Sequence, residues 1–482
     1  MTKRSLLALF LFAPSCLSGY AVLSHEAIID TAWSDSIRPL LLKRFPGATP
    51  EQLKTAHGYA YGGAILQDMG YYPFGSKFFS DLVHYVRSGD FVEELLSQSQ
   101  DLDEYAFALG SLAHYFADNV GHAVAVNLAV PLTYPRLRAK YGPVMTYDED
   151  PSAHLKVEFG FDVMEVAQGN YAPQAYHDFI GFGVSERLLQ SAFRKTYGLE
   201  MADIFSDLDL ALGSYRRTVS KFLPEVTKVA WHIQRDEIVK ARPGVTQRQF
   251  IYNVSRSGYE KEWGKRYERP GPFAIFLAIL YRIVPKVGPL RYLELKPATP
   301  ETARLFMKSF NQTLDRYRGA LDEQRTGRLR LVNLNFDTGR PTGPGEYWLA
   351  DDTYAKLART LAGNRFASAT PEIAKNVLAF FGNPNAPIST RRHKKEWRET
   401  ERALSELKAL EHAAGSARKL NHEPALQPAT VTSHVRRRHR FFGPLPSAPA
   451  PMPEIRPRRQ RLRESRFCPV ESRAGSRAPA PR

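Results

Sequence analysis

The stretch "AFALGSLAHYFADNVGH", residues 106–122, is apolar almost all round a helical projection. Such a segment is a helix buried on every side, so the fold must surround it with further elements. Set into it are His114, Asp118 and His122, four residues apart each time. At about 100° per residue a four-residue step returns a side chain to nearly the same face, and the three stand in a row along roughly two turns. A solvated helix face also carries His and Asp at this spacing. The apolar flanks favour the other reading, because a carboxylate inside an apolar helix needs a cation or hydrogen-bond donors beside it. The row is a candidate metal site.

A second pair follows in "SAHLKVEFGFD", where His154 and Glu158 lie one helical turn apart. By itself this is the spacing of a surface ion pair. Three more candidates precede the row: His25 in "GYAVLSHEAIID", Asp68 in "YGGAILQDMGYYPFG" and His84 in "FFSDLVHYVRSG". Taken singly, they read as a polar residue at a helix start, a helix-end carboxylate and a core histidine. Together with the downstream residues they make a set of His, Asp and Glu without cysteine, which suits catalytic zinc bound through nitrogen and oxygen.

The rest of the chain frames this set. Segments such as "SDLVHYVRSGDFVEELLSQ", "DLDLALGSYRRTVSKFLPEVTKVAWHIQRDEIVKA" and "TPETARLFMKSFNQTLDRYRGAL" repeat apolar residues at three and four, and two-residue alternation is scarce. This predicts a mainly α domain over residues 20–325. The most apolar internal run, "GPFAIFLAILYRIVPKVGP" at 271–289, falls short of the roughly 20 residues a bilayer requires and reads as a buried helix, with interfacial lipid docking as the alternative. Within residues 326–415, "ATPEIAKNVLAFFG" and "KKEWRETERALSELKALEHA" predict two helices of no assigned role.

The ends differ from the middle. "MTKRSLLALFLFAPSCLSG", residues 1–19, has the basic start, apolar stretch and small residues of a signal peptide, which predicts a secreted or periplasmic protein; a lipidated Cys16 is the competing reading. The two cysteines, Cys16 and Cys468, leave no thiol between them. Disulfide staples and cysteine-based zinc sites are therefore excluded from the core. From residue 416 to 482 there are 15 Lys and Arg against 4 acidic residues, so most of the formal +16 lies in an Arg/Pro-rich tail predicted to be disordered. Anionic lipid or nucleic acid would suit that tail, but a solvated tail explains its composition without a partner.

The assembled set, "HYFADNVGH" with His154/Glu158 after it and His25, Asp68 and His84 before it, resembles the bacterial zinc-dependent phospholipase C family, related in fold to the single-strand-specific zinc nucleases. The resemblance covers residues 20–165 by motif and, more loosely, the helical remainder to about 325. It implies a multi-helix phospholipase C/nuclease-like bundle holding three zinc ions (Zn2+) in a cleft. Asp68, His84, His114 and Asp118 would hold one ion. Asp118 would bridge to a second, also held by His25 and the N-terminal residue of the mature chain, here Tyr20. His122, His154 and Glu158 would hold the third, and Asp68 would be the catalytic base for the attacking water. Two departures stand out: the family commonly begins its mature chain with tryptophan, and the Asp118–His122 step is two residues shorter than the family pattern. The shorter step predicts a continuous helix through His122 and a third zinc that is displaced or more weakly bound.

The implied chemistry is phosphodiester hydrolysis. Clustered zinc ions neutralise phosphoryl charge and lower the pKa of water from 15.7 towards about 7. The expected substrate is a phospholipid or another phosphodiester, with possible membrane-surface contact. The alternatives are a single-strand-specific zinc nuclease, for which nucleic acid would be the partner, and a catalytically silent zinc scaffold. Glu158 matches the lipase pattern, where the nucleases usually carry Asp. "MGYYPFG", with Tyr71, Tyr72 and Phe74, would provide either a base-stacking pocket or a choline-binding wall.

Overall fold

The computed structural model describes residues 21–168, 182–219, 239 and 298–420. The predicted leader, Tyr20, the apolar run at 271–289 and residues 421–482 of the tail lie outside them. The described residues are helical apart from loops and one two-stranded hairpin, in keeping with the mainly α expectation. In chain order the helices are α1 (Val22–Ala32), α2 (Arg38–Arg44), α3 (Pro50–Ile65), α4 (Lys77–Tyr85), α5 (Ser88–Gln98), α6 (Leu102–Gly121), α7 (Asn127–Thr133), α8 (Pro135–Tyr141), α9 (Pro151–Gln168), α10 (Glu186–Tyr197), α11 (Leu208–Arg217) and α12 (Pro300–Arg325). Strands β1 (Leu334–Asn335) and β2 (Arg340–Pro341) follow, then α13 (Trp348–Gly363), α14 (Pro371–Phe380) and α15 (Lys394–Leu420). No described helix is long and apolar enough to cross a membrane.

Helix α6 is the central rod, buried along nearly its whole length as its all-round apolar sequence requires. Its N-terminus is set by Asp101, whose side chain accepts from the Glu104 N–H at 2.8 Å. Helix α3, started by a reciprocal Thr49/Gln52 capping box, lies directly against it. The two backbones meet through glycines: a Cβ added at Gly63 would stand 1.9 Å from the Phe107 carbonyl oxygen, and one at Gly110 would stand 2.0 Å from that of Ala60. Only residues without a Cβ permit this approach, and it brings the end of α3 to the middle of α6. Helix α12, capped by Thr299, crosses the same rod, and its Tyr317 hydroxyl donates to the Leu109 carbonyl at 2.9 Å.

Two departures from simple periodicity shape the site. The predicted single helical run at 80–98 is broken between α4 and α5 at Arg87, which has φ 49° and is held there by Asp90 and the Thr196 carbonyl. The predicted continuous helix through His122 instead widens into a π turn over His122–Val126, where the Asn127 N–H reaches back to the His122 carbonyl. A π turn carries an extra residue per turn and so re-aims the chain that follows. The two helices predicted within 326–415 appear as α14 and α15, and α13 lies along α4.

Candidate metal centre

His25 stands in the first turn of α1, whose cap residue, Ala21, has no side-chain oxygen to offer the N–H groups of that turn. Asp162 of α9 supplies it: its carboxylate accepts from the Leu23 and Ser24 N–H groups at 2.9 and 3.0 Å and from the Ser24 hydroxyl at 2.6 Å. Asp68 lies on a 3₁₀ turn, Leu66–Tyr71, that continues α3. Ser80 of α4 fastens that turn, donating to the Gln67 carbonyl at 2.5 Å and accepting from the Gly70 N–H at 2.9 Å. The Ser80 carbonyl also accepts from His84 Nδ1 at 2.7 Å, so one residue positions two candidate ligands.

The same device recurs at other imidazoles. His114 Nδ1 donates to the Ala64 carbonyl at 2.8 Å, across the glycine contact of α3 and α6, and His154 Nε2 donates to the Met145 carbonyl at 2.7 Å. A carbonyl can only accept, so in each ring the bonded nitrogen carries a proton and the other faces inward, where it offers a lone pair once it is deprotonated. This is how ligating histidines are oriented.

The inward atoms form two groups. Asp68, His84, His114 and Asp118 each place a donor atom within 4.8 Å of all the others. His84 Nε2 is 3.4 Å from Asp68 Oδ1 and 3.1 Å from Asp118 Oδ2, and His114 Nε2 is 3.2 Å from Asp118 Oδ2. His25 joins this group on its other side, with Nε2 3.4 Å from Asp118 Oδ1 and 3.9 Å from Asp68 Oδ2, its ring stacked on His114. His122, His154 and Glu158 form the second group on the same 4.8 Å criterion. Here His154 Nδ1 is 3.6 Å from Glu158 Oε1, and the His122 and His154 rings are stacked 5.7 Å apart. The row of His114, Asp118 and His122 is therefore shared out, two residues to one group and one to the other, with the π turn beginning at the residue that departs.

All eight residues are buried. Asp118 Oδ1, His122 Nδ1, His154 Nδ1 and both oxygens of Glu158 make no hydrogen bond among the described residues. Buried polar atoms without partners are costly unless something else compensates them. A zinc ion with bonds of about 2.0–2.1 Å in a tetrahedral shell separates its ligand atoms by roughly 3.3 Å, longer than most hydrogen bonds and within the range seen here. The donor sets thus fit a nitrogen- and oxygen-bound divalent cation on residue type, spacing and unsatisfied valence.

The electrostatics differ between the groups. Burial works against the charged form of His84, but hydrogen bonds and charge from Asp118 and Asp68 overcome it and carry the pKa up to about 10. Burial likewise opposes the Asp118 carboxylate, yet the His114 imidazole, with those of His25 and His84 beside it, holds it well below the usual range. In the second group burial prevails. Glu158 is pushed well above the ordinary carboxylate value by desolvation and then by Asp118, Asp68, Asp337 and Asp162, while His154 is driven down to about 3 by burial and then by His122.

Two residues at the site have no counterpart among the sequence candidates. Phe336, fully buried at the turn of the β1–β2 hairpin, lies over the imidazoles of His84 and His114 with centroids 5.2 and 6.0 Å away. Beside it Asp337 places Oδ1 3.8 Å from His122 Nδ1. Of the "MGYYPFG" aromatics, Tyr71 borders His84 with ring centroids 6.0 Å apart, Tyr72 is buried against Tyr215, and Phe74 is exposed.

The comparisons agree with this chemistry. The family described as zinc dependent phospholipase C matches residues 24–207, a span that holds His25, Asp68, His84, His114, Asp118, His122, His154 and Glu158. No curated protein and no solved structure matches the chain. Over residues 24–207, the chain is similar to the zinc-dependent phospholipase C family.

Proposed function

We propose that the chain is an exported phosphodiester hydrolase that cleaves the head group from a phospholipid with three zinc ions. The observation that carries this reading is the Asp118 carboxylate, set among three imidazoles with Oδ1 spent on no hydrogen bond. The first group offers more donor residues than one tetrahedral ion accepts, so His25, Asp68, His84, His114 and Asp118 would together hold two ions, with Asp118 serving both. The Tyr20 amine, released by cleavage after Gly19, would complete the shell around the ion beside His25. His122, His154 and Glu158 suit the third.

When bound, zinc supplies acidified water and withdraws charge from the phosphoryl oxygens. The chain's own residues set the geometry. Ser80, Ala64 and Met145 carbonyls fix the imidazoles, burial excludes bulk water, and Asp68 is placed to take or orient the proton of the attacking water.

Hydrolysis of a chromogenic phosphodiester, with and without chelator, tests the reading. Activity should vanish with chelator and return with zinc, and Asp68→Asn should lower kcat by about 10²-fold or more. Chelator-resistant turnover would overturn the proposal. Phospholipid micelles should be cleaved in preference to single-stranded DNA, and the reverse preference would move the chain to the nucleases. N-terminal sequencing of the exported protein should return Tyr20.

A further inference from the structure

A row of four rings joins the two donor groups. The His84 ring centroid lies 6.0 Å from that of Tyr71, Tyr71 lies 5.9 Å from Tyr147, and Tyr147 lies 6.1 Å from His154, which it meets edge-on. His84 belongs to the first group and His154 to the second, so the buried Tyr147 side chain stands at the junction between them. Burial raises its pKa, and the carboxylates of Asp337, Glu158, Asp81 and Asp68 raise it further. Glu158 and Asp68 come from different groups, and the phenol lies within electrostatic reach of both.

The backbone that carries Tyr147 is also the one that orients His154. The Met145 N–H donates to the Asn127 carbonyl at 2.9 Å, just past the π turn, while the Met145 carbonyl accepts from His154 Nε2 at 2.7 Å. The turn that follows is closed by the Glu149 N–H on the Thr146 carbonyl at 3.2 Å and by the Glu149 side chain, which accepts from the Thr146 N–H at 2.9 Å. Asp150 then caps α9, accepting from the Ala153 N–H at 2.9 Å. Tyr147 is thus held from both sides, and its phenol is placed as firmly as the imidazole it touches.

The ligand carboxylates only accept hydrogen bonds, and on the zinc reading the inward imidazole nitrogens are spent on cations. A tyrosine, with an ordinary pKa of about 10, still carries its proton at neutral pH and can donate a hydrogen bond. A phosphodiester brings negative charge on its non-bridging oxygens, and a donor already in place stabilises that charge without reorganising. We infer that the Tyr147 hydroxyl is a further catalytic group, donating a hydrogen bond to a non-bridging phosphoryl oxygen of a phosphodiester held between the two donor groups. The inference rests on the zinc hydrolase reading proposed above. A ring that only packs against His154 would serve equally well as phenylalanine.

Tyr147→Phe in the full chain keeps the ring and removes only the hydroxyl. Zinc-loaded wild type and variant should hold equal zinc and unfold alike. The variant should lose about 10–100-fold in kcat/KM on a chromogenic phosphodiester, and it should bind inorganic phosphate, followed by calorimetry, about 10-fold more weakly. Wild-type turnover or wild-type phosphate affinity in the variant would overturn the role of the hydroxyl, as would a loss of activity matched by a loss of zinc. A wild type that hydrolyses no phosphodiester would overturn the hydrolase reading itself, and the role of Tyr147 with it.

Discussion

Around Asp118 three imidazole nitrogens stand 3.1, 3.2 and 3.4 Å from a carboxylate oxygen, whereas Glu158 has one imidazole at 3.6 Å and no hydrogen bond at either oxygen. Both groups are built from imidazoles and carboxylates, so the difference lies chiefly in arrangement. The first group compensates much of its own charge through His–Asp pairs, and the second cannot, because burial discourages both the Glu158 anion and the His154 cation. A metal-free chain should therefore fail differently at the two places: the first is a network to break, the second a liability to relieve.

The largest expected effect sets one carboxamide against another. In excess chelator, Asp118→Asn leaves buried imidazoles without their counter-charge and should cost about 3–5 kcal/mol. Glu158→Gln under the same conditions removes an uncompensated carboxylate and should be neutral or stabilising. Denaturant unfolding of both variants decides the matter, and equal losses would erase the contrast. Restored zinc should reverse the order at the second group, where Glu158→Gln then sacrifices a ligand.

A smaller effect is expected from pH, again in metal-free protein. His84 is raised to about 10 in the fold against about 6.5 unfolded, so its contribution is fully present below 6.5 and is lost as pH rises towards 10. His154 is lowered to about 3, so the unfolded chain takes the proton first and stability falls as pH drops from 6.5 towards 3. Glu158, raised by burial, adds to the loss on raising pH, because from about 4.5 upwards the unfolded chain gives up this proton while the folded chain still holds it. His84→Gln should flatten the alkaline limb of a stability–pH curve and His154→Gln the acid limb. Both limbs responding to one variant would show the groups titrating as a single unit. Smallest of all, Asp162→Asn should cost about 1 kcal/mol through the weakened cap of α1, and chelator titration should show the loss at the group containing His25.

Much of the site was legible because its ligands sit on helices at a four-residue period. The His114/Asp118/His122 row, the His154/Glu158 pair and the helices at Pro300–Arg325 and Pro371–Phe380 all follow from local spacing. What escaped was set by contacts distant in sequence. The break at Arg87 occurs at a non-glycine residue whose left-handed backbone is held by Asp90 and by α10, and nothing in "HYVRSGD" fixes the position of that break. The π turn at His122 is visible only once His154 and Glu158 provide a second destination for the ring. Phe336 and Asp337 lie in "NLNFDTGRPTG", whose Asn and Gly are consistent with a tight turn but say nothing of the helix it would cover.

The hairpin also changes what counts as the smallest useful piece of this molecule. The family match ends at residue 207, but Phe336 roofs two imidazoles and Tyr317 is bonded to the central rod from beyond that limit. A fragment trimmed to the matched span would open that roof to solvent, and its metal binding would report the trimming and not the intact chain.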